Sequence, residues 1–197
     1  MSQVHLCNFD NSWYHPGRSR ALQLLWFFLG LPLLRCPLIP FSGFRVWLLR
    51  LFGATVGEGL VIKPGVRVKY PWHLTVGNDS WIGEDCWIDN LTGVRIGSNV
   101  CLSQCCYLCT GNHDWKDPAF GLIAEPIELG DGCWIGARAL IAPGVVVGAC
   151  AIAAAGSVIR KNIPNFEIHA GNPAVYVRRR CINLAQSENG REECYAS

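Results

Sequence analysis

Charged residues are scarce in this chain of 197 residues: only 16% are Asp, Glu, Lys or Arg, and the formal net charge is +2. No basic stretch alternates with aromatic residues, so the sequence lacks the electrostatic pattern of a nucleic-acid-binding protein. Half of the residues are apolar, which is enough for a full hydrophobic core and argues against disorder. A chain of this length suits one domain, or one domain with an additional arm.

The sequence also lacks an apolar run long enough to cross a bilayer. Its most hydrophobic stretch, residues 21–34, is interrupted by Gly30 and Pro32 and is followed by Arg35, whereas a spanning helix needs about 20 apolar residues. The first twenty residues contain no charged segment followed by an apolar run, so no secretory signal is predicted. We therefore expect a cytoplasmic protein.

Cysteine is abundant, but the pattern of a disulfide scaffold or of a metal site is missing. The chain has 11 cysteines, an odd number, and the cluster Cys105-Cys106-x-x-Cys109 has no second Cys or His pair to complete a zinc site. Cys86, Cys106 and Cys133 occupy small positions of the repeat described next, where buried thiols act as small hydrophobic side chains. The sequence predicts reduced thiols and no bound metal.

What the chain does have is a six-residue repeat, which is clearest between residues 129 and 164. An aliphatic or small residue returns at every sixth position, and a second small or branched residue follows each of them by four. The first series is Leu129, Ile135, Ile141, Val147, Ala153 and Ile159. A period of six fits neither a helix nor a flat strand. It fits a β-helix whose triangular coils each contain about 18 residues, with the aliphatic residues filling the interior and Gly or Asn at the turns.

The repeat divides the chain into three parts. Residues 1–54 are predicted to be an N-terminal arm with short apolar helices, residues 55–165 the β-helix, and residues 166–197 a closing segment with a polar tail. The interval from Leu108 to Leu129 is much longer than one hexad, so a loop at 113–127 is expected to leave the coil. Long loops on rigid scaffolds frequently carry function.

The apolar helices of the arm allow two interpretations. Residues 44–52 are predicted to form an amphipathic helix with Arg45 and Arg50 on its polar side. Residues 21–52 would either pack against the end of the β-helix or a neighbouring subunit, or lie at the inner face of a membrane. Tryptophan, phenylalanine, leucine and flanking arginine suit such a boundary. The sequence alone leaves both interpretations open.

The predicted loop begins with a histidine, in the segment Gly-Asn-His-Asp-Trp. His113 is a candidate general base, because a neutral imidazole accepts a proton near pH 7. Asp114, Asp117 or a backbone carbonyl could orient its ring. The other histidines do not supply the three convergent ligands of a zinc-dependent carbonic anhydrase of this fold.

The hexads from Val56 to Pro164, the loop sequence GNHDW and the closing sequence AGNPAVYVRR resemble the hexapeptide-repeat acyltransferase family. The N-terminal stretch is similar to the colanic-acid-type O-acetyltransferases of exopolysaccharide assembly. The resemblance implies an all-β, left-handed parallel β-helix, and a homotrimer with active sites between adjacent chains. It also implies that His113 takes the proton from a hydroxyl of a sugar or exopolysaccharide precursor, as that oxygen attacks acetyl-CoA directly in a ternary complex.

The resemblance also assigns residues to the two substrates. Trp134 aligns with a family tryptophan beside the cofactor, and the positions that match acetyl-CoA contacts are Ala137, Ala155, Arg160, Lys161 and Arg178. A backbone N–H near Gly136-Ala137 of the neighbouring chain would stabilise the oxyanion. Asp89 and Asn90 are acceptor candidates because they lie close to where related enzymes place an acceptor-binding asparagine. Beside the candidate base, Asp114 is a further acceptor candidate, and Trp115 could stack on a sugar face or simply pin the loop. A small hydroxylated metabolite or an antibiotic is an alternative acceptor, and a non-catalytic assembly module is the alternative to an enzyme.

Overall fold

The structure is a computed structural model, and it describes residues 3–182. Its main body is a parallel β-helix of about six turns with three flat faces, each of them a sheet. The first face contains β1 (Thr55–Val56), β4 (Leu74–Val76), β7 (Val94–Ile96), β12 (Ile127–Leu129) and β15 (Val146–Val147). The second contains β2 (Val61–Ile62), β5 (Trp81–Ile82), β8 (Cys101–Leu102), β13 (Trp134–Ile135), β16 (Ile152–Ala153), β18 (Glu167–Gly171) and β19 (Ala174–Arg179). The third contains β3 (Arg67–Val68), β6 (Trp87–Asp89), β9 (Tyr107–Cys109), β14 (Leu140–Ile141) and β17 (Val158–Ile159).

The aliphatic series of the repeat fills the interior of these coils. On the third face Ile88 pairs with Leu108, and Ile141 pairs with Leu108 and Ile159, so that one residue from each coil stacks on the next. These side chains are essentially inaccessible to solvent, and each contributes about 1.5–3 kcal/mol through burial. The small series is buried as well, including the thiols of Cys86, Cys106 and Cys133, which are free.

The corners differ from the expectation that Gly or Asn would take the left-handed positions. Between the second and third faces, Gly65 has a φ of 78°, but Asp85, Cys105 and Arg138 occupy the equivalent positions with φ of 56°, 58° and 60°. L-residues tolerate this region at a cost of about 1–2 kcal/mol each. The rigid coils above and below impose the turn whatever side chain it carries.

Short helices precede the β-helix. They are α1 (Arg20–Leu25), a π-helical turn (Trp26–Gly30), α2 (Leu31–Arg35) and α3 (Ser42–Leu51), and short 3-10 turns lie at Leu6–Asn8 and Pro71–His73. Trp26 anchors the first three to the first coil, because its ring is buried and its Nε1 donates to the Val68 carbonyl at 3.0 Å. Within residues 3–182, no helix combines the length and the apolar composition needed to cross a bilayer.

The prediction that Arg45 lies on the polar side of its helix is wrong. Arg45 is completely buried, and its guanidinium donates to the carbonyls of Leu34, Cys36 and Ile39 at 3.0, 2.9 and 2.7 Å. The chain leaves α2 at this point, where carbonyl groups at a helix end lack intrahelical partners, and the arginine supplies the donors. Arg50 is exposed and pairs with Glu58 at 3.1 Å.

The C-terminal segment closes the last coil. β18 adds to β16 in parallel, and β19 returns antiparallel to β18, so this hairpin ends the second face and β19 is its outermost strand. Arg180 secures this closure by donating to the carbonyls of Gly132 and Cys150 at 2.9 and 3.1 Å. The predicted polar tail, residues 183–197, lies outside the described residues.

Candidate active site

An antiparallel hairpin leaves the β-helix at the corner between the third and first faces. It consists of β10 (Gly111–His113) and β11 (Leu122–Ala124), with His113 opposite Leu122. Thr110 fixes its base, because this buried hydroxyl donates to the Asp89 carbonyl at 3.0 Å and accepts the Thr92 N–H at 3.3 Å. The candidate base therefore sits on a short strand rather than on an unsupported loop.

The ring of His113 has a defined orientation. Its Nδ1 lies 2.9 Å from the Phe120 carbonyl oxygen. Since a carbonyl can only accept, Nδ1 carries the proton and donates it, which leaves the lone pair of the neutral ring on Nε2. The ring stacks on Phe120 with centroids 4.5 Å apart, and Phe9 of the N-terminal arm lies 5.6 Å away on a tilted plane.

Asp117 shapes the turn that presents Phe120. Its carboxylate accepts from Ala119 N at 2.9 Å and from Gly121 N at 3.1 Å. Phe120, between them, has a φ of 55°, a conformation that a bulky residue rarely adopts. The turn signals Asp, Pro and Gly are visible in the sequence, but nothing there indicates that the Phe120 carbonyl faces the imidazole.

The neighbouring acidic and aromatic candidates surround His113 without orienting it. Asp114 accepts the backbone N–H of Lys116 at 2.9 Å, and the described residues provide no hydrogen bond from its carboxylate to the imidazole. Trp115 is 72% exposed, with Lys116 Nζ 5.3 Å from its ring centroid. Its indole face is thus available to a ligand and does not pin the loop within this chain.

Asp89 and Asn90, one coil away from the hairpin base, behave differently from each other. Asp89 Oδ1 lies 2.9 Å from Lys69 Nζ, and its Oδ2 accepts from the Tyr107 hydroxyl at 3.2 Å. Burial, together with Cys109 and Asp89, raises the pKa of Tyr107, so the hydroxyl remains protonated and donates. Asn90 is completely buried, and its amide pairs with the backbone N–H and C=O of Tyr70 at 3.0 and 2.7 Å. It has no surface left for an acceptor.

Two of the predicted cofactor contacts share one corner. Ala137 and Ala155 lie in successive turns between the second and third faces, where Gly156 N donates to the Ala137 carbonyl at 2.8 Å. A Cβ added to Gly136 would lie 2.5 Å from Ala155 N, so the two turns are closely stacked. The N–H of Gly136 donates to Ala153, while that of Ala137 has no acceptor within residues 3–182.

The remaining predicted cofactor contacts are dispersed. Arg160 and Lys161 follow β17 at the corner between the third and first faces, and Arg178 lies on β19; all three are exposed. Trp134 lies on the second face, is 45% exposed, and donates from Nε1 to Ser103 Oγ at 2.8 Å. Described residues form no ion pair with any of the three cations.

The triangular geometry separates the two halves of the candidate site within one chain. The His113 hairpin emerges between the third and first faces, whereas Ala137 and Ala155 lie between the second and third faces. The core of the β-helix fills the space between these corners. A single chain therefore does not bring the imidazole to the corner formed by the small residues.

A triangular coil of hexads with a histidine on an extruded hairpin defines the class of hexapeptide-repeat β-helix proteins. WcaF of Escherichia coli K12, a provisionally assigned colanic acid biosynthesis acetyltransferase, is 37% identical over 167 residues, which are 85% of this chain and 91% of that protein. A galactoside acetyltransferase solved with coenzyme A has a TM-score of 0.72 and 25% identity over 83% of this chain and 84% of that one.

A hexapeptide-repeat acetyltransferase from Vibrio cholerae, solved with acetyl-CoA, has a TM-score of 0.74 and 23% identity over 82% of this chain and 88% of that chain. This likeness confirms the left-handed β-helix. No protein-family model matches the chain. The chain belongs to the hexapeptide-repeat acetyltransferase family, and it is an enzyme, an acetyltransferase.

Proposed function

We propose that this protein transfers an acetyl group from acetyl-CoA to a hydroxyl of a sugar or exopolysaccharide precursor, with His113 as the general base. The observation that carries the proposal is the hydrogen bond from His113 Nδ1 to the Phe120 carbonyl. It leaves Nε2 unprotonated and fixes the plane of the ring, which are the two properties that a base needs.

The reaction proceeds in one ternary complex. Nε2 of His113 takes the acceptor proton as the hydroxyl oxygen attacks the thioester carbonyl, and the Phe120 carbonyl stabilises the imidazolium that forms. The free N–H of Ala137, supplied by the neighbouring chain, donates to the oxyanion of the tetrahedral intermediate. The C–S bond then breaks, the thiolate of CoA receives the proton from the imidazolium, and the acetyl ester and CoA leave.

The donor would lie along the corner formed by Ala137 and Ala155. Small side chains there leave the backbone accessible to the thin pantetheine arm. Exposed Arg178 of the same chain can pair with phosphates, and so can Arg160 and Lys161 of the adjacent chain, which lie on the edge that carries His113. Trp134 offers a half-exposed ring on the adjoining face. The similarity to a galactoside acetyltransferase that binds coenzyme A supports this assignment.

The acceptor would lie on the hairpin side. The open indole of Trp115 can stack on the apolar face of a sugar ring, and the carboxylates of Asp114 and Asp89 can accept hydrogen bonds from its hydroxyls. A relative named for colanic acid biosynthesis and a structural neighbour named as a galactoside acetyltransferase support a glycan acceptor. Asn90 is not part of this proposal, because its amide is committed to Tyr70.

The proposed assembly is a cyclic homotrimer that works in the cytoplasm. Since the histidine and the small-residue corner lie on different edges of one triangular prism, packing three prisms side by side gives each active site one edge from each of two neighbours. This arrangement uses both edges of every chain, and it yields three equivalent sites.

The proposal is tested by measuring CoA thiol release from acetyl-CoA with nucleotide sugars, free sugars and lipid-linked oligosaccharides as acceptors. We expect acceptor-dependent release, and a decrease of about 10²–10⁴-fold in kcat for His113→Ala with an unchanged Kd for acetyl-CoA. Equal rates for the variant and the wild type would contradict the role of His113. Absence of release with every one of these acceptors would contradict a sugar or glycan acceptor and favour a small hydroxylated metabolite or an antibiotic.

A further inference from the structure

Helix α1 and the π-helical turn that follows it expose a broad apolar surface. Leu24, Leu25, Phe27, Phe28 and Leu29, hereafter the apolar helical surface, are between 49% and 71% exposed. Contiguous exposed apolar side chains of this size commonly mark a surface that binds something. The proposed acetyl transfer uses none of them.

The exposed residues point in widely different directions. Phe27, Phe28 and Leu29 are consecutive in the π-helical turn, where the rotation per residue is somewhat smaller than the about 100° of an α-helix. The three side chains therefore cover roughly half of the circumference. Trp26 and Leu34 face the opposite way, are buried, and attach the helices to the β-helix. The surface is therefore held in place, and it is wider than the single apolar stripe of a typical surface helix.

Further exposed apolar side chains extend beyond these helices. Leu38 and Phe41, in the connection between α2 and α3, are 87% and 71% exposed, and Trp47 and Leu51 on α3 are 53% and 62% exposed. Leu48 and Leu49 between them are buried. The helical segment 20–51, hereafter the N-terminal unit, is thus firmly attached to the β-helix and exposes apolar side chains along its whole length.

The charged side chains of the N-terminal unit are all positive. No Asp or Glu occurs between Asp10 and Glu58. Arg20 begins α1 and Arg35 ends α2, so exposed cations flank the apolar helical surface at both ends, and neither is ion-paired with any described residue. Glu84 and Asp85 lie across a groove from Arg35, on the β-helix side.

We infer that the apolar helical surface docks on an anionic lipid surface. A fluid interface accommodates side chains that diverge around a helix, because lipid chains rearrange where a rigid partner cannot, and the flanking arginines pair with anionic headgroups. The helices would lie in the plane of the interface, in keeping with the absence of a described helix long enough to span. Docking would place the enzyme where membrane-anchored acceptors are presented.

The test is flotation of the purified full chain with phosphatidylcholine vesicles that contain about 30% phosphatidylglycerol. Vesicles of pure phosphatidylcholine are the comparison. We expect binding to the anionic vesicles, weakened by high salt. The double variant Phe28→Ser/Leu29→Ser should bind at least about tenfold more weakly, and Arg20→Glu/Arg35→Glu should lose the preference for anionic lipid. Trp81→Ser, an equally exposed aromatic residue on the β-helix, is the matched control and should bind normally.

Two outcomes would overturn the inference. If neither vesicle binds the wild-type chain, the surface is not a lipid-docking surface. If Phe28→Ser/Leu29→Ser changes the oligomeric state in light scattering, the surface is a contact between copies of this chain instead. Acetyl transfer to a soluble acceptor is measured in parallel, and we expect this double variant to retain it, so that a failure of docking is distinguishable from a failure of the proposed chemistry.

Discussion

At the scale of single residues, the orientation of His113 depends on a backbone atom. The neighbouring carboxylates are the partners that the sequence makes conspicuous, yet both are used by backbone N–H groups of the hairpin turn. The Phe120 carbonyl faces the imidazole instead. A carbonyl holds the same tautomer as a carboxylate would, without placing a full negative charge against the base.

Asp117 is accordingly a positioning residue, and Asp117→Ala should lower kcat by about 10- to 100-fold, because small displacements of a catalytic group are costly. Its KM for acetyl-CoA should not change, since the turn positions the base and contributes none of the proposed donor contacts. The variant Asp117→Asn keeps one of the two acceptor oxygens, but its amide NH2 faces the other backbone N–H, so it should recover only part of the rate. Steady-state kinetics of both variants decide the matter, and equal losses in the two would argue against a role through the turn.

Arg45 gives a second prediction at this scale. Arg45→Met leaves one buried and two partly buried carbonyls without these donors, so the free energy of unfolding should fall by about 3–5 kcal/mol. Arg50→Met, on the same helix, removes only exposed contacts and should cost less than about 1 kcal/mol. Urea unfolding at a fixed protein concentration compares the two, and similar midpoints would show that the guanidinium does not stabilise the α2–α3 connection.

At the scale of elements, the six-residue repeat made most of the β-helix predictable. Ile135, Ile141 and Ala153 were recognisable as interior residues because only a solenoid gives period-six burial. The corner at Cys105 and Arg138 was not predictable, because stacked coils impose left-handed turns on residues that do not themselves favour them. Arg45 was misplaced for a related reason, since periodicity describes apolar side chains and cannot foresee which buried carbonyls need a donor.

The same reasoning applies to the candidate site. His113 could be found because a titratable residue stands where the repeat is interrupted. The roles of Phe120 and Phe9 could not, because one acts through a main-chain carbonyl and the other reaches the hairpin from a residue more than a hundred positions away. Asn90 looked available in the sequence, but its burial against Tyr70 depends on stacking of neighbouring coils.

The turn at Gly136 gives a prediction at the scale of elements. Gly136→Ala would bring a Cβ to 2.5 Å from the backbone nitrogen of Ala155, so the two stacked turns must separate, at a cost of about 1–3 kcal/mol. Because these turns form the proposed donor corner, the KM for acetyl-CoA should rise. Gly93→Ala is the control, because its added Cβ meets nothing within 4 Å. It should change neither the free energy of unfolding nor the KM for acetyl-CoA. An unaltered KM in Gly136→Ala would place the donor elsewhere.

At the scale of the whole molecule, the β-helix acts as a rigid spacer. It keeps the histidine hairpin on one edge and the small-residue corner on another, and in the proposed mechanism neither edge is sufficient alone. The apolar arm occupies the N-terminal end of the same prism, and it would set the distance of the proposed sites from a lipid surface. The proposed catalysis, assembly and docking would all depend on this one closely packed core.

Subunit complementation tests the central claim that each active site combines His113 of one chain with the Ala137–Ala155 corner of its neighbour. His113→Ala and Ala155→Trp should each be inactive as homotrimers. The two variants are unfolded together in equal amounts and refolded. A site is then intact where an Ala155→Trp chain supplies the histidine and a His113→Ala chain supplies the corner. Random mixing makes about a quarter of the sites intact, so about a quarter of the wild-type acetyl transfer should return. If the mixture forms mixed trimers and remains inactive, the two halves of the site belong to one chain and the account is contradicted.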